Sequence, residues 1–249
     1  MNPVQQFQRD CATEIATQGS DIEMRNSSVA WVQHANAHKY SYHFEWLGRP
    51  IIQYPQDMLA WQELIWRVQP DLIIETGIAH GGSLIFSASM LELNAACGGN
   101  ASAQVLGIDI DIRSHNRSAI EAHPMSKRIT MIQGSSVASE VVAQVRSHAK
   151  GKQCILVSLD SNHTHEHVLE ELNCYAPLVS VDSYCVVFDT IIADLPDDAF
   201  PDRPWSRARN PKTAVHEYLR SHKEFEIDQA MDSKLLISVA PSGYLRRVS

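Results

Sequence analysis

Cysteine is scarce and unpatterned in this 249-residue chain: Cys11, Cys97, Cys154, Cys174 and Cys185 are odd in number, widely spaced and form no C-x-x-C pair. That excludes a disulfide framework and points to reduced, mostly buried thiols in a cytoplasmic protein. Long apolar runs are missing as well. No stretch approaches the roughly 20 apolar residues of a membrane span, and Arg9, Asp10, Glu14, Asp21, Glu23 and Arg25 fall where a signal peptide would keep its apolar centre. Basic residues are outnumbered 21 to 29, for a formal charge of -8 and a pI near 5.8. A phosphate-backbone partner needs many Lys and Arg contacts, so nucleic acid is set aside. Neither a G-x-G-x-x-G dinucleotide fingerprint nor a phosphate loop closed by Lys-Ser/Thr is present.

What is present is an apolar content of 44%, enough to bury one good core. The first thirty residues are polar and weakly helical, and are expected to pack as an outer arm. Aromatics then crowd together at Trp31, Tyr40, Tyr42, Phe44, Trp46 and Tyr54 around the turn Gly48-Arg49-Pro50. These rings either close one end of the core or wall a substrate pocket. Residues 1–56 thus read as an N-terminal extension and 57–249 as the main domain. Asp57 is placed to cap a helix whose apolar positions Met58, Trp61, Leu64, Ile65 and Val68 have helical spacing and which Pro70 stops.

From there the period of the pattern alternates. Strands are expected at Leu72 to Glu75, Val105 to Asp109, Ile129 to Gln133, Cys154 to Asp160 and Tyr184 to Asp189, separated by helices, with Phe225 to Asp228 and Lys234 to Ser238 as an antiparallel closing return that ends at Gly243-Tyr244-Leu245. Repeated β-α alternation means a doubly wound, mostly parallel sheet with helices on both faces. Ligands of such sheets bind beyond the carboxyl ends of the strands, so the residues that finish each strand carry the information.

The first such end is Asp71-Leu-Ile-Ile-Glu75-Thr-Gly77-Ile-Ala-His-Gly81-Gly82-Ser83. A buried strand finishing at Glu75 and running into a glycine turn leaves backbone N–H groups free at the start of the next helix, where an anionic part of a ligand is stabilised. The other ends carry Asp109, Gln133 with Gly134-Ser135-Ser136, Asp160 and Asp189. Asp109 suits the two ribose hydroxyls of a nucleoside, or else caps a helix. Gly134 and Ser135 suit an adenine edge, or a simple turn. Four acids at one sheet edge repel each other and lose hydration, so a cation or hydrogen-bond donors must compensate. Asp160 and Asp189, on adjacent strand ends, form a hard-cation site of the kind that takes Mg²⁺. Three residues after Asp160, His163 precedes the next helix and can act as a base. His165 and His167 fan about 200° apart on that helix and cannot share one ion with it, so they read as first-turn polar residues.

Several motifs together resemble one family. Tyr40-Ser-Tyr-His-Phe-Glu-Trp-Leu-Gly48-Arg-Pro50-Ile-Ile-Gln-Tyr-Pro55-Gln-Asp57, Glu75-Thr-Gly-Ile-Ala-His-Gly-Gly-Ser83, Ser158-Leu-Asp160-Ser-Asn-His163-Thr-His-Glu-His167-Val and Asn210-Pro-Lys-Thr-Ala-Val215 are similar to motifs of the cephalosporin hydroxylase/rhamnosyl O-methyltransferase family. The likeness runs from about Tyr40 to the C-terminus. It implies a Rossmann-like, seven-stranded methyltransferase fold, S-adenosylmethionine as cofactor, and Mg²⁺ held by an acid after the fourth strand and an acidic pair after the fifth, with a histidine base. Carried over, the catalytic residues are His163 and Asp160, the metal ligands Asp160 and Asp189, and the cofactor residues Glu75, Gly77, Gly81, Ser83, Asp109, Gly134, Ser135 and Asp160. The sequence departs from the family at Phe188-Asp189, where the resemblance implies two acids; either water completes the coordination, a nearby acid such as Asp194 substitutes, or metal affinity is weak.

The expected activity is Mg²⁺-assisted O-methylation of a hydroxyl on a sugar, glycan or glycosylated small molecule. The competing classes are a metal-dependent oxygenase or hydrolase built on Asp160, His163 and His165, and a non-catalytic partner that keeps the cofactor fold. The basic, aromatic loop Arg203-Pro-Trp205-Ser-Arg207-Ala-Arg209 could cover the acceptor. The aromatic N-terminal segment is compatible with self-association.

Overall fold

The computed structural model describes residues 2–249. Helix α1 (Pro3–Ser20) opens on an Asn2 cap and α2 (Ile22–Ala37) on an Asp21 cap, each side chain accepting from a first-turn N–H. No residue of α1 is buried; its last turn rests on α9 (below), with Gln18 Nε2 donating to the Ser233 carbonyl. A short hairpin, β1 (Phe44–Trp46) and β2 (Arg49–Ile51), leads to α3 (Pro55–Val68). The repeating part follows as β3 (Leu72–Thr76), α4 (Gly82–Ala96), β4 (Gln104–Asp109), α5 (Ser114–Glu121), β5 (Ile129–Gln133), α6 (Ser139–Ala149), β6 (Ile155–Leu159), α7 (His165–Tyr175) and β7 (Tyr184–Val187). Then come α8 (Pro211–Ser221), β8 (Phe225–Ile227), α9 (Gln229–Leu235) and β9 (Tyr244–Arg247).

Seven strands form one sheet in the order β5-β4-β3-β6-β7-β9-β8, with only β9 antiparallel to its neighbours. The expected architecture is therefore present. Both faces of the sheet are covered, which explains why the central strands read as continuous apolar runs. Ile73 faces one core with Leu64, Ile65 and Leu84, while Leu72 and Ile74 face the other with Val145, Leu172 and Tyr218. Val32 and Tyr54 pack with Ile191 and Leu195 in a third, smaller cluster beside the carboxyl edge. The aromatic segment divides its work: Trp46 meets Phe86 at 4.7 Å in the core, whereas Tyr40 and Tyr54 stack at 5.5 Å toward the sheet edge.

Two local expectations are corrected. Lys234 to Ser238 is not a strand: Asp228 caps α9 by accepting from Met231 N–H, the helix runs to Leu235, and Leu236 turns the chain with φ 56°. A short apolar run such as Leu235-Leu236-Ile237 does not reveal its period, and the final strand lies further on at Tyr244–Arg247. Asp57 does not cap α3. Tyr54 holds that position with Pro55 behind it, and the buried Asp57 carboxylate turns inward to accept from Ser238 Oγ, Val239 N–H and Tyr244 Oη at 2.6, 2.9 and 3.0 Å. A hydrogen-bonded carboxylate in the core outweighs a cap that a proline already makes partly redundant.

Candidate active site

Strand register sets the site. Thr76 pairs with Ile108 on one side and Leu159 on the other, and Leu159 pairs with Val187, so β3, β4, β6 and β7 finish nearly level. Just beyond, the Asp160 N–H donates to the Thr76 carbonyl and the Gly77 N–H to Ile108, both close to 2.9 Å (2.9 and 2.8 Å). The two strand ends touch at Gly77: with φ +90°, its backbone runs so close that a Cβ there would lie 2.1 Å from the Asp160 carbonyl oxygen. The turn is held from the other side by Asp109, whose Oδ2 accepts from Ile78 and Ala79 N–H (2.8 and 3.2 Å) and whose Oδ1 accepts from Asp111 N–H (2.9 Å). Glu75 is buried and takes a hydrogen bond from Ser83 Oγ in the first turn of α4. Burial pushes the Glu75 carboxyl up to about 7 against the opposing pull of Ser83.

Asp160, His163 and Asp189 converge here, each offering a ligand atom within 4.8 Å of the others. His163 Nε2 lies 3.0 Å from Asp189 Oδ2, and its ring meets Trp205 edge-on at 4.8 Å. Asp189 sits in left-handed backbone, φ 55°, a conformation that Asp takes more readily than most side-chain-bearing residues. Burial, then the charges of Asp189, Glu75, Glu171 and Asp57, hold the Asp160 carboxyl well above the usual carboxylate range. Within reach of Asp160 the protein supplies one donor, Gln53 Nε2 at 3.1 Å. A cation would relieve this repulsion, and the two carboxylates, with no thiolate near them, are a hard oxygen pair that fits Mg²⁺.

A cavity of about 590 Å³ opens above the cluster. Gly77 and Ser83 of the turn, Asp160, His163 and Asp189 line it, roofed by Tyr42, Tyr54, Phe200 and Trp205. Glu75 lies beneath, against a second cavity of about 20 Å³ that it shares with Asp57 and Asp160. Gly81 caps α4 and faces Ile120 rather than the cavity. Asp109, Gly134 and Ser135 are absent from the cavity lining; Gly134 N–H donates to the Asp109 carbonyl at 2.8 Å, which joins the ends of β4 and β5.

The family model for rhamnosyl O-methyltransferase/CmcI matches residues 38–248. The chain belongs to that family. A rhamnosyl O-methyltransferase of Mycobacterium leprae is 29% identical over 207 residues, covering 81% of this chain and 82% of its own, and one of Mycobacterium tuberculosis is 26% identical over 198 residues, covering 77% and 73%. Among solved structures, CmcI with Mg-SAM superposes with a TM-score of 0.56 at 18% identity, over 84% of this chain and 78% of that one. An O-methyltransferase from Bacillus cereus in complex with SAH gives 0.52 at 13% identity, over 80% and 81%. These likenesses show the Rossmann-like methyltransferase fold.

Phe188 is buried against the core, and Asp194 is engaged by Lys212 Nζ rather than turned to the cluster, so Asp194 does not stand in for the acid missing at position 188; the third group beside Asp160 and Asp189 is the His163 imidazole. His165 is buried between helices, with Nδ1 2.7 Å from Thr213 Oγ1 and Nε2 3.1 Å from Glu217 Oε2, and His167 Nε2 lies 3.1 and 3.2 Å from Ser136 and Ser161 Oγ. Both tie α7 to its neighbours. The oxygenase layout, which needs a second imidazole on the ion, is not assembled. Of the loop arginines only Arg203 lines the cavity, stacked 5.3 Å from Trp205; Arg209 pairs with Glu166 and Arg207 Nε donates to the Ala193 carbonyl. Sequence reasoning assigned no role to Gln53. Its signal was its place in the Tyr40–Asp57 motif, which spacing alone does not connect to Asp160.

Proposed function

We propose that this O-methyltransferase transfers a methyl group from S-adenosylmethionine to a hydroxyl of a sugar or glycosylated small molecule, with Mg²⁺ held by Asp160 and Asp189. The observation that carries the reading is the convergence of Asp160, His163 and Asp189 beside the glycine turn in a member of this family. When bound, S-adenosylmethionine supplies an electrophilic methyl group and Mg²⁺ the charge that weakens a coordinated alcohol's hold on its proton. The Asp189 carboxylate, 3.0 Å from His163 Nε2, keeps a proton on that nitrogen, which leaves Nδ1 to take the alcohol's proton while Asp189 stabilises the resulting imidazolium. Trp205 fixes the His163 ring from its far side. Of the turn from Gly77 to Ser83, the His80, Gly82 and Ser83 N–H groups remain for the cofactor's carboxylate, since Gly77, Ile78, Ala79 and Gly81 donate within the protein, and Asp109, which braces that turn, stands toward the ribose with Gly134 and Ser135 beyond it toward the base.

A sugar acceptor is supported by the roof. Trp205 lines the cavity with an Nε1–H that is buried and without a partner among the described residues, and saccharides supply both apolar faces and hydroxyl acceptors for such a group. Residues 1–56 serve as an extension over the active site, a reading supported by Tyr42 and Tyr54 in the cavity wall. No helix among the described residues is long and apolar enough to cross a membrane. We place the reaction in the cytoplasm, on a saccharide and not on nucleic acid, with a homo-oligomer compatible with this assignment.

The test is calorimetric titration with S-adenosylmethionine, in Mg²⁺ and again in a chelator, followed by mass spectrometry of rhamnosylated acceptors. One-site binding and a Mg²⁺-dependent gain of one methyl group are expected. Absence of binding in both buffers refutes the reading.

A further inference from the structure

Gln53 lies where the chain leaves β2 and crosses the carboxyl edge, and it is 8% exposed. Its Nε2 donates to Asp160 Oδ2 at 3.1 Å. The amide nitrogen faces Asp160 and Oε1 points away, the orientation required once Asp160 is ionised to hold a cation, because an ionised carboxylate only accepts. Oε1 is buried and has no partner among the described residues. An unpaired buried acceptor costs about 1–3 kcal/mol, which a donor arriving with a ligand would recover.

The surroundings say what kind of donor. Gln53 lines the catalytic cavity and also the small cavity beneath it, whose walls include Asp57, Glu75 and Asp160. An acceptor dipole set among three acids favours a cationic N–H over a neutral hydroxyl. Ser83, at the end of the glycine turn, lines both cavities too. That turn is where the amino-acid end of the methyl donor is expected. We propose that Gln53 Oε1 accepts a hydrogen bond from the α-ammonium of S-adenosylmethionine while Nε2 holds Asp160, so that one side chain positions both the methyl donor and a metal ligand. The inference rests on S-adenosylmethionine being the cofactor. The alternative partner is a water in the small cavity, whose volume of about 20 Å³ admits one.

The experiment is a ligand–mutant cycle by calorimetry, with S-adenosylhomocysteine and its analogue lacking the α-amino group, on wild type and Gln53→Met. Gln53→Met is expected to weaken S-adenosylhomocysteine by roughly tenfold to a hundredfold and to leave the deaminated analogue within about twofold. Equal losses on both ligands, or no loss on either, overturn the inference, and equal losses are what a lost water or a general distortion would give. Failure of the wild type to bind S-adenosylhomocysteine at all overturns the cofactor reading instead. Should thermal melting show Gln53→Met unfolded, Gln53→Asn, which retracts the amide by one carbon, is put through the same cycle under the same criteria.

Discussion

Replacing Gly77 by alanine tests the central contact of the site, and its cost can be worked from the structure. A Cβ at φ +90° adopts backbone that L side chains rarely take, a penalty of about 1–2 kcal/mol. The same Cβ would lie 2.1 Å from the Asp160 carbonyl oxygen and 2.7 Å from its carbon, where neither atom belongs to a side chain that can swing aside. Overpacking of this kind adds about 1–3 kcal/mol. The sum, about 2–5 kcal/mol, corresponds to a melting temperature lower by roughly 4–20 °C in a chain of this size. Since the atoms displaced are the backbone of Asp160, the variant should also lose S-adenosylmethionine and Mg²⁺ binding. Gly98→Ala is the control: its φ is +95° but a Cβ there meets nothing within 4 Å, so it carries the backbone penalty without the collision. Thermal melting and calorimetry on both variants decide the matter. If Gly77→Ala melts no lower than Gly98→Ala and binds S-adenosylmethionine as wild type does, the argument that the two strand ends are locked together at this position fails.

Other outcomes follow from the same geometry. His163→Ala should lower turnover by about 10²–10⁴ while S-adenosylmethionine still binds; lost cofactor binding or unchanged turnover would contradict the base assignment, and a collapse of Mg²⁺ affinity would make His163 a ligand instead. Asp109→Ala strips the glycine turn of two hydrogen bonds, from Ile78 and Ala79, and the segment after β4 of one, from Asp111, and should weaken S-adenosylmethionine at least tenfold, with a loss of about 1–3 kcal/mol in urea unfolding. Burial raises Asp57 to about 6 and Glu75 to about 7, above their unfolded values, so the stability tied to those protons is complete below about pH 4 and is lost as pH rises through 6 to 7. Ligand-free protein should therefore unfold in urea with a free energy roughly 3 kcal/mol or more lower at pH 8 than at pH 5. A flat or rising profile would show that these carboxyls are not desolvated as described. Glu92, drawn down to about 2 by Arg128 and then Lys127, acts in the opposite sense, and its contribution disappears only as pH falls from about 4.5 through 2.

Much of the fold was legible because its signals are local. Alternation between strand and helix periods located β3 to β7, and Asn210 with Pro211 and Thr213 marked the start of α8, where the structure has a full capping box. The misplaced final strand shows the limit: Leu235-Leu236-Ile237 is as apolar as a strand, but Asp228 starts a helix just before it, and the Asp57 carboxylate fixes Ser238 and Val239 from far away in the chain. Asp57 was misjudged for the same reason, since a first-turn acid looks like a cap until its distant partners are known.

The alternation of elements, the family and the identity of the acids at the carboxyl edge can be read along the chain, because side-chain period, glycine turns and strand-end residues are properties of consecutive positions. Tertiary structure decided which of those residues meet. Strand register brought Asp160, His163 and Asp189 together, turned Asp109 onto the glycine turn, and sent His165, His167 and Asp194 to other partners. It also folded Gln53 onto Asp160 across 107 positions of sequence. Hydrogen bonds and ion sites depend on distances of about 3 Å between residues remote in the chain, and those distances exist only once the sheet has closed.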